Sequence, residues 1–118
     1  MNVRNIAENA YANAKTKGFH SNADGTPKER NIGEALALIH SEVSEALEEI
    51  RKNPDPLHIY NREADGKPEG FMVELADAVI RIGDLAGSFE GGGAILAACI
   101  EEKMAFNAKR PHMHGKEF

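Results

Sequence analysis

Two pairs of acids, each set three residues apart inside an apolar helical run, constrain this chain more than any other feature. The first pair is Glu42 and Glu45, within Ile39 to Ile50. The second is Glu74 and Asp77, within Val73 to Asp84. Residues i and i+3 share a helix face, so each run offers two carboxylates to one side. Ionised acids on an apolar stripe are costly to bury unless something pairs with them. Two such pairs facing each other form a four-carboxylate, all-oxygen cage. That donor set suits a hard divalent cation, Mg2+ or in its place Mn2+.

The periodicity around those acids predicts an all-α fold of four helices. Over residues 2–17, Val3, Ile6, Ala7, Ala10, Tyr11 and Ala14 recur at helical spacing, and Gly18 ends the run. Thr26-Pro27-Lys28-Glu29 supplies an N-cap, a first-turn proline and an acid at the third position. It predicts a second helix from there to about Lys52, where Asn53-Pro54-Asp55-Pro56 stops it. On that helix Ile32, Ala35, Leu36, Ile39, Val43, Ala46, Leu47 and Ile50 form one apolar arc. Glu42 lies inside the arc, and Glu45 and Glu49 at its edge. Residues 57–67 have no period and read as an irregular connection. A third helix is predicted from Pro68 to about Gly87. It is apolar round most of its circumference, as a central, buried helix would be. Its polar stripe is Glu74, Asp77, Arg81 and Asp84. After a glycine-rich turn, a fourth helix covers about Ala94 to Ala108. Its apolar stripe of Ile95, Leu96, Cys99 and Ile100 continues as Lys103, Asn107 and Arg110.

Length and composition bound the rest. At 118 residues the chain is expected to be one domain, 1–118. Apolar residues make up 42% and aromatics only 6%, so Ala, Leu, Ile and Glu carry the helices. One small bundle leaves part of the third helix uncovered, which predicts a homodimer or tetramer. A net charge of −5 argues against nucleic acid or an anionic membrane as partner. No apolar stretch reaches membrane-spanning length, and the N-terminus has no signal-peptide pattern. A single Cys99 fits a reducing compartment, so a cytoplasmic location is expected.

An acid cluster with a basic stripe nearby suits metal-assisted attack on a phosphoanhydride, with cations taking up the developing charge. Lys103 and Arg110 are the cations of that stripe, and Asn107 would orient phosphate or base. The same three residues also suit an ordinary helix C-terminus. Phe19, in the loop after the first helix, either plugs the end of the core or stacks on a base at the mouth of a cleft. His112 and His114 in the polar tail are a weak signal for a transition metal.

At these residues the chain resembles the MazG-like, all-α nucleoside triphosphate pyrophosphohydrolase superfamily. The family pattern, Glu-x-x-Glu, a spacer and Glu-x-x-Asp, stands here as Glu42-Val43-Ser44-Glu45 and Glu74-Leu75-Ala76-Asp77, with 28 residues (46–73) between. Leu38-Ile39-His40-Ser41 before the first pair and Ala78-Val79-Ile80-Arg81-Ile82 after the second are also similar to the family. So is the Lys103, Asn107, Arg110 run. The resemblance covers about residues 30–115. It implies a helical bundle completed by dimerisation. It implies Mg2+-dependent hydrolysis of an NTP or dNTP to the monophosphate and pyrophosphate, with Glu42, Glu45, Glu74 and Asp77 as metal ligands. Glu42 or Glu45 would assist in deprotonating water, Lys103 would act on the phosphates, and Phe19, Lys103, Asn107 and Arg110 would face the nucleotide. The competing class is a non-catalytic helical module that uses the same acids for ion pairing or partner binding.

Overall fold

In the computed structural model, residues 1–111 are described; His112 and His114 lie outside the described residues. Four helices are present among the described residues: α1 Val3–Thr16, α2 Ile32–Lys52, α3 Phe71–Gly87 and α4 Gly92–Ala108. The architecture is therefore all-α, with one minute addition. Strands β1 (Tyr60–Asn61) and β2 (Pro68–Glu69) pair antiparallel, Tyr60 opposite Glu69 and Asn61 opposite Pro68. Helix α3 is central and packs extensively against both α1 and α2, while α4 lies chiefly along α1. No helix among the described residues is long and apolar enough to cross a membrane.

Two predicted helix starts are displaced. Thr26 and Pro27 do not open α2. Asp24 accepts from the Thr26 backbone N–H at 3.0 Å and its hydroxyl at 2.6 Å, and the Lys28 N–H donates to the His20 carbonyl at 2.9 Å. These local bonds compete with helix formation. The helix begins instead at Ile32, capped by the Asn31 side chain, which accepts from the Glu34 N–H at 3.0 Å. Likewise Pro68 sits in β2 and α3 starts only after Gly70. Gly70 has φ +138°, and a Cβ there would lie 2.5 Å from the His58 carbonyl oxygen. Glycine is what lets the hairpin pass this close to the start of α3.

The hairpin is tied to α2 through an acid whose role the sequence concealed. Glu49 is buried rather than at the edge of an arc. The Tyr60 hydroxyl donates to it, 3.1 Å from either carboxylate oxygen. Partial burial, then the hydrogen bonds with Glu49 and Glu69, push the Tyr60 phenol up to about 12. Tyr60→Phe should therefore lower the urea midpoint, because a buried carboxylate loses a donor. An unchanged midpoint would mean that Lys52, 3.7 Å from Glu49, satisfies it alone.

The core is thin. Ala7, Ala35, Ala46 and Ala78 are the buried apolar residues, and among the described residues no large side chain is fully buried. On α2 the inward face is Ala35, Ile39, Glu42, Ala46 and Glu49, whereas Ile32, Leu36, Val43 and Leu47 remain 47–54% exposed. On α3, Met72, Leu75, Val79 and Ile82 remain 36–48% exposed. Helix α3 is thus central, but within one chain it is not buried all round as its sequence predicts. The radius of gyration, 17.1 Å, exceeds the roughly 13–14 Å of a compact chain this long.

Where α1 meets α3 and α4 closely, it meets them on glycine. Ala7 is fully buried, with Gly83 and Gly93 against it. A Cβ at Gly87 would lie 2.5 Å from the Ala7 carbonyl oxygen and 2.8 Å from the Tyr11 Cβ. Backbone cannot move aside as a flexible side chain can, so the approach of α1 to α3 depends on this residue lacking a side chain.

Candidate metal centre and its cavity

Helices α2 and α3 pack side by side, and the junction brings Glu42 of one against Glu74 and Asp77 of the other. Each contributes a carboxylate oxygen to a group whose members all lie within 4.8 Å of one another. Glu74 is buried, while Glu42 and Asp77 are partly exposed. The Glu74 carboxyl is pushed up to about 7. Burial is the main cause, followed by a hydrogen bond with Glu42 and the negative charges of Asp77, Glu42 and Glu45. Three acids this close retain a proton near neutrality, and a divalent cation can take that proton's place. The oxygen-only donor set fits a hard ion.

Three of the four predicted ligands converge. The fourth, Glu45, is exposed; its charge is felt by Glu74, but it stands outside the cluster. A cation of the chain itself reaches in. Arg81 Nε donates to Glu42 Oε1 at 2.7 Å.

Glu42 and Asp77 open into a half-open cavity of about 550 Å3. Phe19 lines it and is 73% exposed, which puts the ring at the cavity mouth rather than in the core. The cations along its walls are Lys28, Arg30, Lys67 and Arg81. Beside them His20 Nε2 lies 2.7 Å from Asp84 Oδ1, and two Arg30 nitrogens donate to Asp84 Oδ2 at 3.3 Å. His20, Lys28, Arg30 and Lys67 have no counterpart in the sequence reading of the site. The one signal in the sequence was a loop carrying a histidine and two cations among turn-forming residues.

The predicted basic stripe is elsewhere. Lys103 Nζ and the Arg110 guanidinium sit 5.2 and 5.7 Å from the centre of the Phe106 ring. Lys103 borders a separate, open hollow with Cys99, Ile100, Met104 and Phe106. Asn107 is half-buried, and its Oδ1 has no hydrogen-bond partner among the described residues. None of the three lines the cavity of the acids. The expectation that the α4 stripe continues to their side is not met within one chain, because α4 runs chiefly along α1 rather than α2. In comparisons with protein-family models, with curated proteins and with solved structures, nothing matches this chain.

Proposed function

We propose that this chain is a small MazG-like pyrophosphohydrolase that cleaves a nucleoside triphosphate, NTP or dNTP, to the monophosphate and pyrophosphate, in cytoplasmic nucleotide-pool housekeeping. The observation that carries the reading is the meeting of Glu42, Glu74 and Asp77, drawn from two helices, around a point open to a nucleotide-sized cavity. Mg2+ bound by these three, with Mn2+ as a substitute, would supply charge neutralisation at phosphate oxygens and an activated water. Glu45, exposed beside the cluster, is the carboxylate left to accept a proton from water. Phe19 offers a face for a base. Lys103, Asn107 and Arg110 belong to the phosphate-binding set only if a second copy brings them there.

A second copy is part of the proposal, and the open apolar stripes on α2 and α3 support it. Of the five exposed large apolar residues on each helix, all but Leu38 on α2 and Ile80 on α3 recur at spacings of three, four or seven, the pattern of a helix-packing seam. Light scattering at micromolar concentration should give a dimer or tetramer, and a monomer would count against this part.

The test of the activity has two readouts. Mg2+ and Mn2+ should raise the melting temperature relative to EDTA, since a ligand that binds only the folded state stabilises it by mass action. Pyrophosphate should appear with at least one member of a panel of NTPs and dNTPs. No metal response and no pyrophosphate would leave the second reading, a non-catalytic helical module. The Arg81–Glu42 ion pair is the observation that favours it.

A further inference from the structure

The geometry points to Arg30, with Lys28 beside it, as the docking group for the pyrophosphate end of the substrate, a role that rests on the pyrophosphohydrolase reading. The loop between α1 and α2 is folded back on itself: the Asn22 N–H donates to the Thr26 carbonyl at 2.7 Å, and Ser21 pairs with Pro27. That local order fixes where Lys28 and Arg30 stand. Asp84 then ties the loop to α3 by engaging both His20 and Arg30, residues 64 and 54 positions away in sequence. Arg30 is held, side chain a quarter exposed, in the wall of the cavity that holds Glu42 and Asp77.

Distance and charge suit a phosphate chain. Asp84 follows Asp77 by seven residues, roughly 10 Å along the helix axis. A chain of phosphates fixed at the acids can therefore reach the Arg30 wall. Lys28 and Lys67 line the same cavity and make no salt bridge among the described residues. The lining is mixed, with Glu29 and Glu34 beside the cations as well as Glu42, Asp77 and Asp84, and such a set suits an anion that carries a metal rather than a bare anion. A guanidinium matches phosphate oxygens in bidentate fashion, and its bonds to Asp84, at 3.3 Å, are long for a charge-assisted pair. The same carboxylate that positions Arg30 thus leaves it able to take a second anionic partner.

The experiment is calorimetric titration of inorganic pyrophosphate into the full chain, with Mg2+ and with EDTA, followed by a nucleoside monophosphate. Arg30→Gln should weaken pyrophosphate binding by about tenfold and leave the monophosphate nearly unchanged. Asp84→Asn keeps the shape but removes the charge that neutralises Arg30, so it should tighten pyrophosphate binding severalfold. Opposite signs in the two variants separate an anion site from a structural tie, which both variants would loosen alike. Equal weakening, an unaffected Arg30→Gln, or a loss confined to the monophosphate would each overturn the inference. If pyrophosphate binds with this pattern but no nucleotide is cleaved, the anion site stands and the enzymatic reading fails. If the wild-type chain binds no pyrophosphate, both fail.

Discussion

Replacing Glu74 with glutamine should abolish activity while making the metal-free protein more stable. Loss of even an outer partner of a metal ligand typically costs 10–100-fold, so removal of a ligand should cost roughly 100-fold or more. The stability change runs the other way. Glu74 ionises near 4.5 when unfolded and about 7 when folded. Below pH 4.5 it is neutral in both states and contributes nothing. As pH rises from there through 7, the unfolded state gives up its proton first, and folding comes to carry the cost of a buried charge. At pH 8 in EDTA, Glu74→Gln should therefore gain on the order of 1–3 kcal/mol. The gain should vanish near pH 4.5. Asp77→Asn should lose activity with the fold kept. Urea titrations at the two pH values, with circular dichroism for the fold, read all of this. Unfolding of either variant would mean that the acids serve structural ion pairs and hold no metal.

Gly87→Ala should be among the most damaging conservative changes to the packing of α1 against α3. Its new methyl would meet the Ala7 carbonyl at 2.5 Å and Tyr11 at 2.8 Å, so α1 and α3 must separate. Overpacking of this kind costs about 1–3 kcal/mol. With so few buried side chains elsewhere, that is a large share of the 5–15 kcal/mol typical of a domain. The chemical denaturation midpoint should fall clearly, and loss of stability should precede any change in metal response. A variant as stable as wild type would show that the two helices are further apart in solution.

The helices were legible because their apolar residues recur at 3.6-residue spacing, and Glu42 was legible because it interrupts an apolar arc. Glu45 was harder. Residues three apart are about 60° apart round the helix axis, so a pair can straddle the edge of a buried face, with one acid inward and the other at the rim. Glu49 reads from the sequence as an edge residue, yet it is buried, because the α2 arc spans two faces, one against α3 and one open, and periodicity alone does not say which is which. Thr26-Pro27 has the composition of a helix start, but the same residues serve a turn organised by Asp24, and the nearer side chain won. Lys28 and Arg30 had no legible role at all. Theirs depends on Asp84, which only the tertiary fold brings to them. Lys103, Asn107 and Arg110 were placed by extending one stripe along α4, and a stripe does not specify which neighbour it faces.

The 2.7 Å bond between Arg81 and Glu42 means that the acid cluster already holds a positive charge of the chain's own. A divalent cation that takes the same Glu42 oxygen must displace it, so binding there is an exchange rather than an addition. Measured affinity then falls short of the site's intrinsic affinity by the fraction of time Arg81 is away. The displaced guanidinium stays in the same cavity, free for an anion. On the proposed function, cation and anion would thereby be linked ligands, each improving the binding of the other by the same factor, as reciprocity requires. On the same reading, a single side chain would weaken the hold on either ion alone and strengthen it when both are present.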